Sequence, residues 1–460
     1  MVPGWVRNAV FYQIFPDRFC NGDPRNDPPG VRPWGEQPTR SSFFGGDLQG
    51  IIQKLDYLED LGITALYLTP IFTAPSNHKY DTIDYFEVDP AFGGDAALRE
   101  LVDAVHSRGM RIILDGVFNH CSDQHPFFRD AMENGKGSQY WDWFTIDGDR
   151  VIQTPGPNYA CWAGVPVMPE WNHKNPAVRK HLLSVVRHWI REYKIDGWRL
   201  DTVEYLPPDF VRDVRRVAKE ENPDAYVLGE VMGIATAWFK HDALDGVMHY
   251  KLWEALIRFI AEERSDAQEF AGFVRSLWHS YPEENDYACY TLLGSHDKPR
   301  FLTLAGEDTR KLVLAAAFLF SFPGAPAVYY GDEIGLKGGE DPDCRRCFPW
   351  DESAWDKELH AVFKQLIAIR RANPVLRHGY PRFHQVRGRF LVLSLSYDTD
   401  EICLALNAGD TEESAQFGEA RLVDLITGEM GTEFFVPPMG FRVFKRLETR
   451  SRGPHMNAIN

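Results

Sequence analysis

The chain has 460 residues and no apolar run of the roughly 18 residues that a membrane-crossing helix needs. Its most apolar stretch, Leu312 to Phe322, is too short to span a bilayer, so no membrane partner is expected. The N-terminus, Met-Val-Pro-Gly-Trp-Val-Arg-Asn, lacks the apolar core of a secretion signal. A cytoplasmic location is the expectation for the chain as it stands. Positive charge is in deficit: 50 Lys and Arg against 66 Asp and Glu give a net charge of −16. Phosphate backbones favour a basic face, so a nucleic-acid partner is not expected. Paired cysteines are lacking too. Seven are scattered, an odd number without framework spacing, which argues against a disulfide scaffold. Cys344-Arg-Arg-Cys347 is a lone CxxC with no second ligand pair nearby, and it reads as a loop with two reduced thiols rather than a zinc site. No internal repeat and no low-complexity segment is present.

What is there is a rhythm of helix, Gly stop, short apolar strand and polar loop. Asp47 can cap a helix with apolar Ile51, Ile52, Leu55 and Leu58, which Gly62 ends before the strand Ala65–Thr69. A second helix begins at Asp95 with Leu98, Leu101, Val102 and Val105 on one face, and Gly109 stops it before Arg111–Asp115. Asn175-Pro176 is an N-cap followed by Pro at the first helical position. The face behind it, Val178, Leu182, Val185, Val186 and Trp189, leads to the strand Gly197–Leu200. Period 3.6 alternating with short apolar runs means βαβ units and a parallel sheet. Further strands are expected near Val10–Phe15, Tyr226–Gly229, Gly246–His249, Thr291–Gly294 and Ala327–Tyr330. Eight such units close into a (β/α)8 TIM barrel.

The expected organisation is a barrel over 1–120 and 175–375. A subdomain is inserted at 121–174, after the third strand, where the text turns Gly-, Pro- and Trp-rich without a clear helix. A C-terminal antiparallel β-sandwich covers 376–447, with strands at Phe390–Tyr397, Glu401–Leu406 and Phe441–Phe444. A polar tail, 448–460, is expected to be disordered.

Barrel active sites lie at the C-terminal ends of the strands. Here those ends read Asp115-Gly-Val-Phe-Asn119-His120, Arg199-Leu-Asp201, Gly229-Glu230, Ser295-His296-Asp297 and Tyr329-Tyr330-Gly331-Asp332-Glu333. A single ionisable residue at such a place is more often a structural ion pair. Five strand ends bearing carboxylates, with two His and one Arg, point instead to chemistry on one rim.

These strings resemble the α-amylase family of glycoside hydrolases, whose motifs stand here in the family's order. Gly62-Ile-Thr-Ala-Leu-Tyr-Leu-Thr-Pro70 and Gly324-Ala-Pro-Ala-Val-Tyr-Tyr-Gly-Asp-Glu333 extend the match over about Phe11 to Asp351. The resemblance implies a retaining hydrolase of α-1,4-glucosidic bonds, with α-1,6 bonds left open. Asp201 matches the nucleophile, Glu230 the general acid/base and Asp297 the third carboxylate. Retention needs two carboxyls about 5–5.5 Å apart. Arg199 lies two residues before Asp201 on one strand, so both side chains share a face, and its charge is expected to keep Asp201 ionised. Glu230 must start protonated, which calls for a raised pKa. His120 and His296 match histidines that bind the sugar at the cleavage point. Asp115 matches a support for Arg199, and Tyr80 the aromatic platform under that sugar.

A narrower resemblance, to the neopullulanase, cyclomaltodextrinase and maltogenic amylase group, rests on three strings. They are Ser42-Phe-Phe-Gly-Gly-Asp-Leu-Gln-Gly50, Ile71-Phe-Thr-Ala-Pro-Ser-Asn-His-Lys-Tyr-Asp-Thr82 and Leu292-Leu-Gly-Ser-His-Asp297. Met168-Pro-Glu-Trp-Asn172 resembles that group's Met-Pro-Lys-Leu-Asn with two positions changed. Implied substrates are cyclodextrins, maltooligosaccharides, starch and pullulan. Asn21, Asp23, Asn26 and Asp27 form a dense oxygen-rich turn. A plain polar turn also has this composition; with Gly45 and Asp47 it resembles the group's structural Ca2+ site. A second calcium site common in α-amylases has His where Tyr205 stands, so that site is not expected. The chain departs from the group at Met232, where a Trp is usual, and at Glu204, where many α-amylases carry Lys. In the group these positions flank the acceptor side of the cleft, so the resemblance implies different acceptor contacts here. The group's usual N-terminal β domain is not in the sequence. Two other readings compete: a transglycosylase using the same carboxyls, and a non-catalytic barrel module, which the complete catalytic set disfavours. Monomer and homo-oligomer both stay open.

Overall fold

The computed structural model describes residues 1–447; the tail 448–460 lies outside the described residues. Eight short parallel strands form the centre: β1 Phe11–Ile14, β2 Ala65–Leu68, β3 Arg111–Gly116, β4 Gly197–Leu200, β5 Tyr226–Gly229, β6 Gly246–Val247, β7 Tyr290–Leu292 and β8 Ala325–Tyr329. Their order is β6-β5-β4-β3-β2-β1-β8-β7. A parallel bridge between Met248 and Tyr290 joins the two edges, so the sheet closes into a (β/α)8 barrel. The strands are apolar throughout because both faces are covered. Phe11, Tyr67, Ile113, Tyr226, Leu228 and Tyr290 point inward and fill the barrel. Tyr12, Leu66, Leu68, Ile112, Leu114, Trp198 and Val227 point outward against the helices.

The helices form where the 3.6 period placed them. Gly94–Ser107 buries Leu98, Leu101, Val102 and Val105. Pro176–Tyr193 starts from an Asn175 side-chain cap and buries Val178, Leu182, Val185, Val186 and Trp189. The Asp47-capped segment differs: it is two helices, Leu48–Gln53 and Leu55–Leu61, separated at Lys54. Gly62 ends the second at φ +96°, a left-handed conformation that suits glycine. Between β3 and Pro176 the chain leaves the barrel, and here the expectation of no helix was wrong. Pro126–Asn134 is a helix, nucleated by the His125 ring capping the Phe127 N–H and held by buried Phe128 and Ala131. Its two buried side chains are too few to print a clear period. A hairpin of Phe72–Thr73 and Asp84–Val88 was also not foreseen.

The C-terminal β region pairs a six-stranded antiparallel sheet with a two-stranded ribbon, Glu413–Gln416 and Glu433–Val436. The expected strands lie within Phe390–Tyr397, Asp400–Asn407 and Gly440–Arg446. Tyr380–Arg387, Leu422–Asp424, Met430–Gly431 and the ribbon were missed, being short or polar. The sheet is apolar on both faces. Phe390, Val392, Cys403 and Ala405 face the ribbon, while Leu391, Leu393, Leu404 and Leu406 join the main core. Among the described residues no helix is long and apolar enough to cross a membrane.

Arg370, on the helix Lys357–Ala372, is fully buried and donates to the carbonyls of Phe320 and Phe322 at 3.0 and 2.9 Å, and to that of Gly324. It satisfies the carbonyls of the turn that feeds β8. Arg370→Met should leave them unpaired and cost about 2–4 kcal/mol. The measurement is the denaturant midpoint, with activity per folded molecule retained.

Candidate active site

The strand ends converge on a 640 Å³ cleft lined by Tyr80, His120, Trp162, Met168, Asp201, Thr202, Glu204, Glu230, Met232, Asp297, Lys298 and Arg345, among others. At its floor lies Arg199, fully buried. Its Nη1 donates to Asp115 Oδ1 and Oδ2 at 2.9 and 3.1 Å and to Asp201 Oδ1 at 2.6 Å. Its Nη2 stands 3.1 Å from Glu230 Oε2. Asp115 and Arg199 lie directly opposite each other in the β3–β4 register, which fixes the pair. Asp201 and Glu230 each follow the last residue of their strand, β4 and β5, so the two carboxyls emerge side by side.

Burial dominates the electrostatics. It pushes Asp115 up to about 6 against the pull of Arg199. It also raises Asp201, again opposed by Arg199, so the expected counter-charge is present but works against a dry site. Glu230 is raised by burial, with Arg199 pulling it down and the Asp297 charge adding to the rise. Burial holds His120 down to about 4 and His296 well below its usual range. Both imidazoles are therefore neutral near pH 7.

The remaining sequence-chosen residues gather here too. Tyr80 stacks on His296 with ring centroids 5.4 Å apart and donates to Asp115 Oδ2 at 2.9 Å. His120 bonds the Tyr80 carbonyl through Nε2 at 3.1 Å. Asp297, 30% exposed, is the most open of the carboxyls, 3.1 Å from His296 Nε2. Glu204 and Met232 form one lip of the cleft, where the Met232 N–H donates to Glu204 Oε2 at 2.8 Å.

Sequence reasoning missed several neighbours. Gln13, at the end of β1, hydrogen-bonds His296 Nδ1 at 2.7 Å. Tyr67 donates to Asp115 Oδ2 at 2.6 Å; a tyrosine inside an otherwise aliphatic strand was its only signal. Arg345 reaches Asp297 at 3.4 Å and Asp341 at 3.0 Å. It sits inside the CxxC string, where Cys344 and Cys347 are free and buried. Cys344 donates to the His296 carbonyl at 3.2 Å, so this loop walls the cleft. Thr202 is the last, and it touches both Asp201 and Glu230.

The oxygen-rich turn is assembled away from the cleft. Asn21 Nδ2 donates to Asp27 Oδ1 at 2.8 Å, and Asn26 Nδ2 to Asp47 Oδ2 at 3.0 Å. The amide oxygens of Asn21 and Asn26 are buried without a partner. Gly45, at φ +80°, packs so closely on Asp27 and Asn21 that a Cβ would collide with both. Asp23 departs from the expected set, because its carboxylate is held by Arg25 Nε at 2.7 Å. Orphaned buried oxygens beside two carboxylates fit a hard cation such as Ca2+.

Comparison with known proteins agrees with this geometry. Residues 13–379 match the family described as alpha amylase, catalytic domain. Over 455 residues the chain is 46% identical to a cyclomaltodextrinase of Geobacillus thermopakistaniensis, covering 96% of this chain and 77% of that protein. It is 46% identical over 383 residues to neopullulanase 2 of Thermoactinomyces vulgaris, covering 83% and 65%. Among solved structures, the cyclic α-maltosyl-(1→6)-maltose hydrolase of Arthrobacter globiformis, in complex with cyclic α-maltosyl-(1→6)-maltose, matches at a TM-score of 0.92 and 38% identity. That match covers 96% of this chain and 99% of the other.

Arg199→Leu should strip three buried carboxyls of their counter-charge and cost about 3–5 kcal/mol near neutral pH. Without the guanidinium their folded pKa values stand further above the unfolded ones. The deficit should therefore be smallest at acid pH, where all are protonated, and grow as pH rises. Melting temperatures of both proteins across that range measure it.

Proposed function

The chain belongs to the α-amylase family of glycoside hydrolases and is a hydrolase of α-glucosidic bonds; we propose that it works with retention through Asp201, Glu230 and Asp297. The observation that carries this reading is the single guanidinium of Arg199 touching both Asp201 and Glu230 at the ends of adjacent strands. In the first step Glu230 gives its proton to the glycosidic oxygen while Asp201 attacks the anomeric carbon. The bond to the leaving sugar breaks and a glycosyl–Asp201 ester forms. In the second step Glu230, now a carboxylate, takes a proton from water. The resulting nucleophile attacks the same carbon and releases Asp201 as a carboxylate.

Asp297 and the neutral His120 and His296 serve as hydroxyl partners for the sugar at the cleavage point, and Tyr80 as its stacking face. Asp115, with Tyr67 behind it, keeps Arg199 in place. The substrates proposed are cyclodextrins and α-glucan oligosaccharides, which is what the names of the similar enzymes support. Transfer to a sugar hydroxyl needs the same carboxyls, and Glu204 and Met232 on the acceptor lip set the share of transfer to water.

Asp201→Asn should lower turnover of β-cyclodextrin, starch and pullulan by on the order of 10⁴-fold or more, with an unchanged melting temperature. Substantial residual activity on all three would remove Asp201 from the nucleophile's role. For the oxygen-rich turn we propose Ca2+ held by Asn21, Asn26, Asp27, Asp47 and the Gly45 backbone, a structural tie between the turn and the start of the helix Leu48–Gln53. A chelator should then lower the melting temperature, and added Ca2+ restore it. An identical melting curve in chelator would sink the assignment.

A further inference from the structure

Thr202 follows Asp201 and adopts φ +43°, ψ +44°, a left-handed conformation that a β-branched residue rarely takes. It is held from both sides. Its N–H donates to Glu230 Oε2 at 2.8 Å, and its carbonyl accepts from the Tyr205 N–H at 2.9 Å. Its hydroxyl lies 3.4 Å from Asp201 Oδ2, the oxygen left free by Arg199, which bonds Oδ1. Glycine would take this conformation without strain but would bring no hydroxyl. Strain of this kind persists only where the surroundings over-determine it, and it gathers at functional sites.

The Thr202 N–H donates to Glu230 Oε2, and Arg199 Nη2 stands 3.1 Å from the same oxygen as an ion-pair contact without hydrogen-bond geometry. An oxygen that already accepts a backbone N–H beside a guanidinium is the poorer seat for a proton, so the acidic proton of Glu230 belongs on Oε1. We propose that Thr202 is a positioning residue of the hydrolysis, its strained amide presenting the Oε1 proton of Glu230 and its hydroxyl steadying the attacking oxygen of Asp201. The proposal rests on the assignment of Asp201 and Glu230 made above. In the second step the same hydroxyl supports Asp201 as it leaves the sugar as a carboxylate.

A hydroxyl donating to the charged Asp201 favours that form, so its loss raises the group. The amide donating to Glu230 lowers it, against burial. Asp201 faces Arg199, Asp115, Glu230 and Tyr85; Glu230 faces Arg199, Asp297, Glu204 and Tyr250.

The test is the pH profile of kcat/KM for Thr202→Val, Thr202→Ser and Thr202→Gly beside the parent. Thr202→Val keeps the β-branch and removes the hydroxyl. It should lower kcat about 10-fold and move the acidic limb up by about half a pH unit. Thr202→Ser should restore both. Thr202→Gly lacks the hydroxyl but takes the same left-handed conformation without strain, so the amide stays on Glu230 and only the acidic limb should move. If Thr202→Val unfolds, Thr202→Ala against Thr202→Ser reads the hydroxyl alone. Limbs and kcat equal to the parent's in a well-folded Thr202→Val, or equal in the Ala and Ser variants, overturn the proposal. If Asp201→Asn itself stays active, the nucleophile assignment fails instead.

Discussion

The Arg199 guanidinium, fully buried, stands between Asp115, Asp201 and Glu230 and holds all three within hydrogen-bonding or ion-pair distance. Three carboxyls cannot share a dry pocket without a positive centre, because burial favours their neutral forms and their charges repel one another. Arginine suits the place: it stays charged when buried, and its fork of N–H groups serves several acceptors at once. The tyrosines at positions 67 and 80 complete the arrangement by donating to Asp115. One carboxylate is thereby fixed as support, leaving the other two facing the cleft.

The barrel makes this cluster possible with little material. Its strands are only two to six residues long, yet parallel pairing in register puts Asp115 beside Arg199 and brings Asp201 and Glu230 out on adjacent ends. The interior below is filled with rings such as Phe11, Tyr226 and Tyr290, so the floor is rigid and closed. Loops then build the walls: the segment bearing Trp162 and Met168, the Cys344–Cys347 loop with Arg345, and the Glu204–Met232 lip. The strand ends carry the carboxyls, and the loops carry the walls of the cleft.

How far the molecule was legible differs by level. The eight strands follow from short apolar runs and lie within two residues of where the pattern puts them, and of the three helices read from period and Gly or Asn punctuation two are continuous while the Asp47-capped one is split at Lys54. The short helix Pro126–Asn134 was not legible, because two buried side chains make no visible period. The remaining strands after Tyr380 were hidden because they are short or polar. The residues at the strand ends were legible because the barrel gives such positions a meaning. Gln13, Thr202 and Arg345 carried no motif, and their partners are 283, 28 and 48 residues away in sequence.

The sequence by itself determined the barrel, the carboxyl set and the family, since periodicity and ordered motifs are local properties of the chain. Only the tertiary structure decided which charges meet. It turned the Asp23 carboxylate to Arg25, gave Asp297 to Arg345 and His296, and folded Thr202 into a strained turn between two carboxyls. Those outcomes depend on close approach between distant segments and on the removal of water around them, and neither is written in any short stretch of sequence.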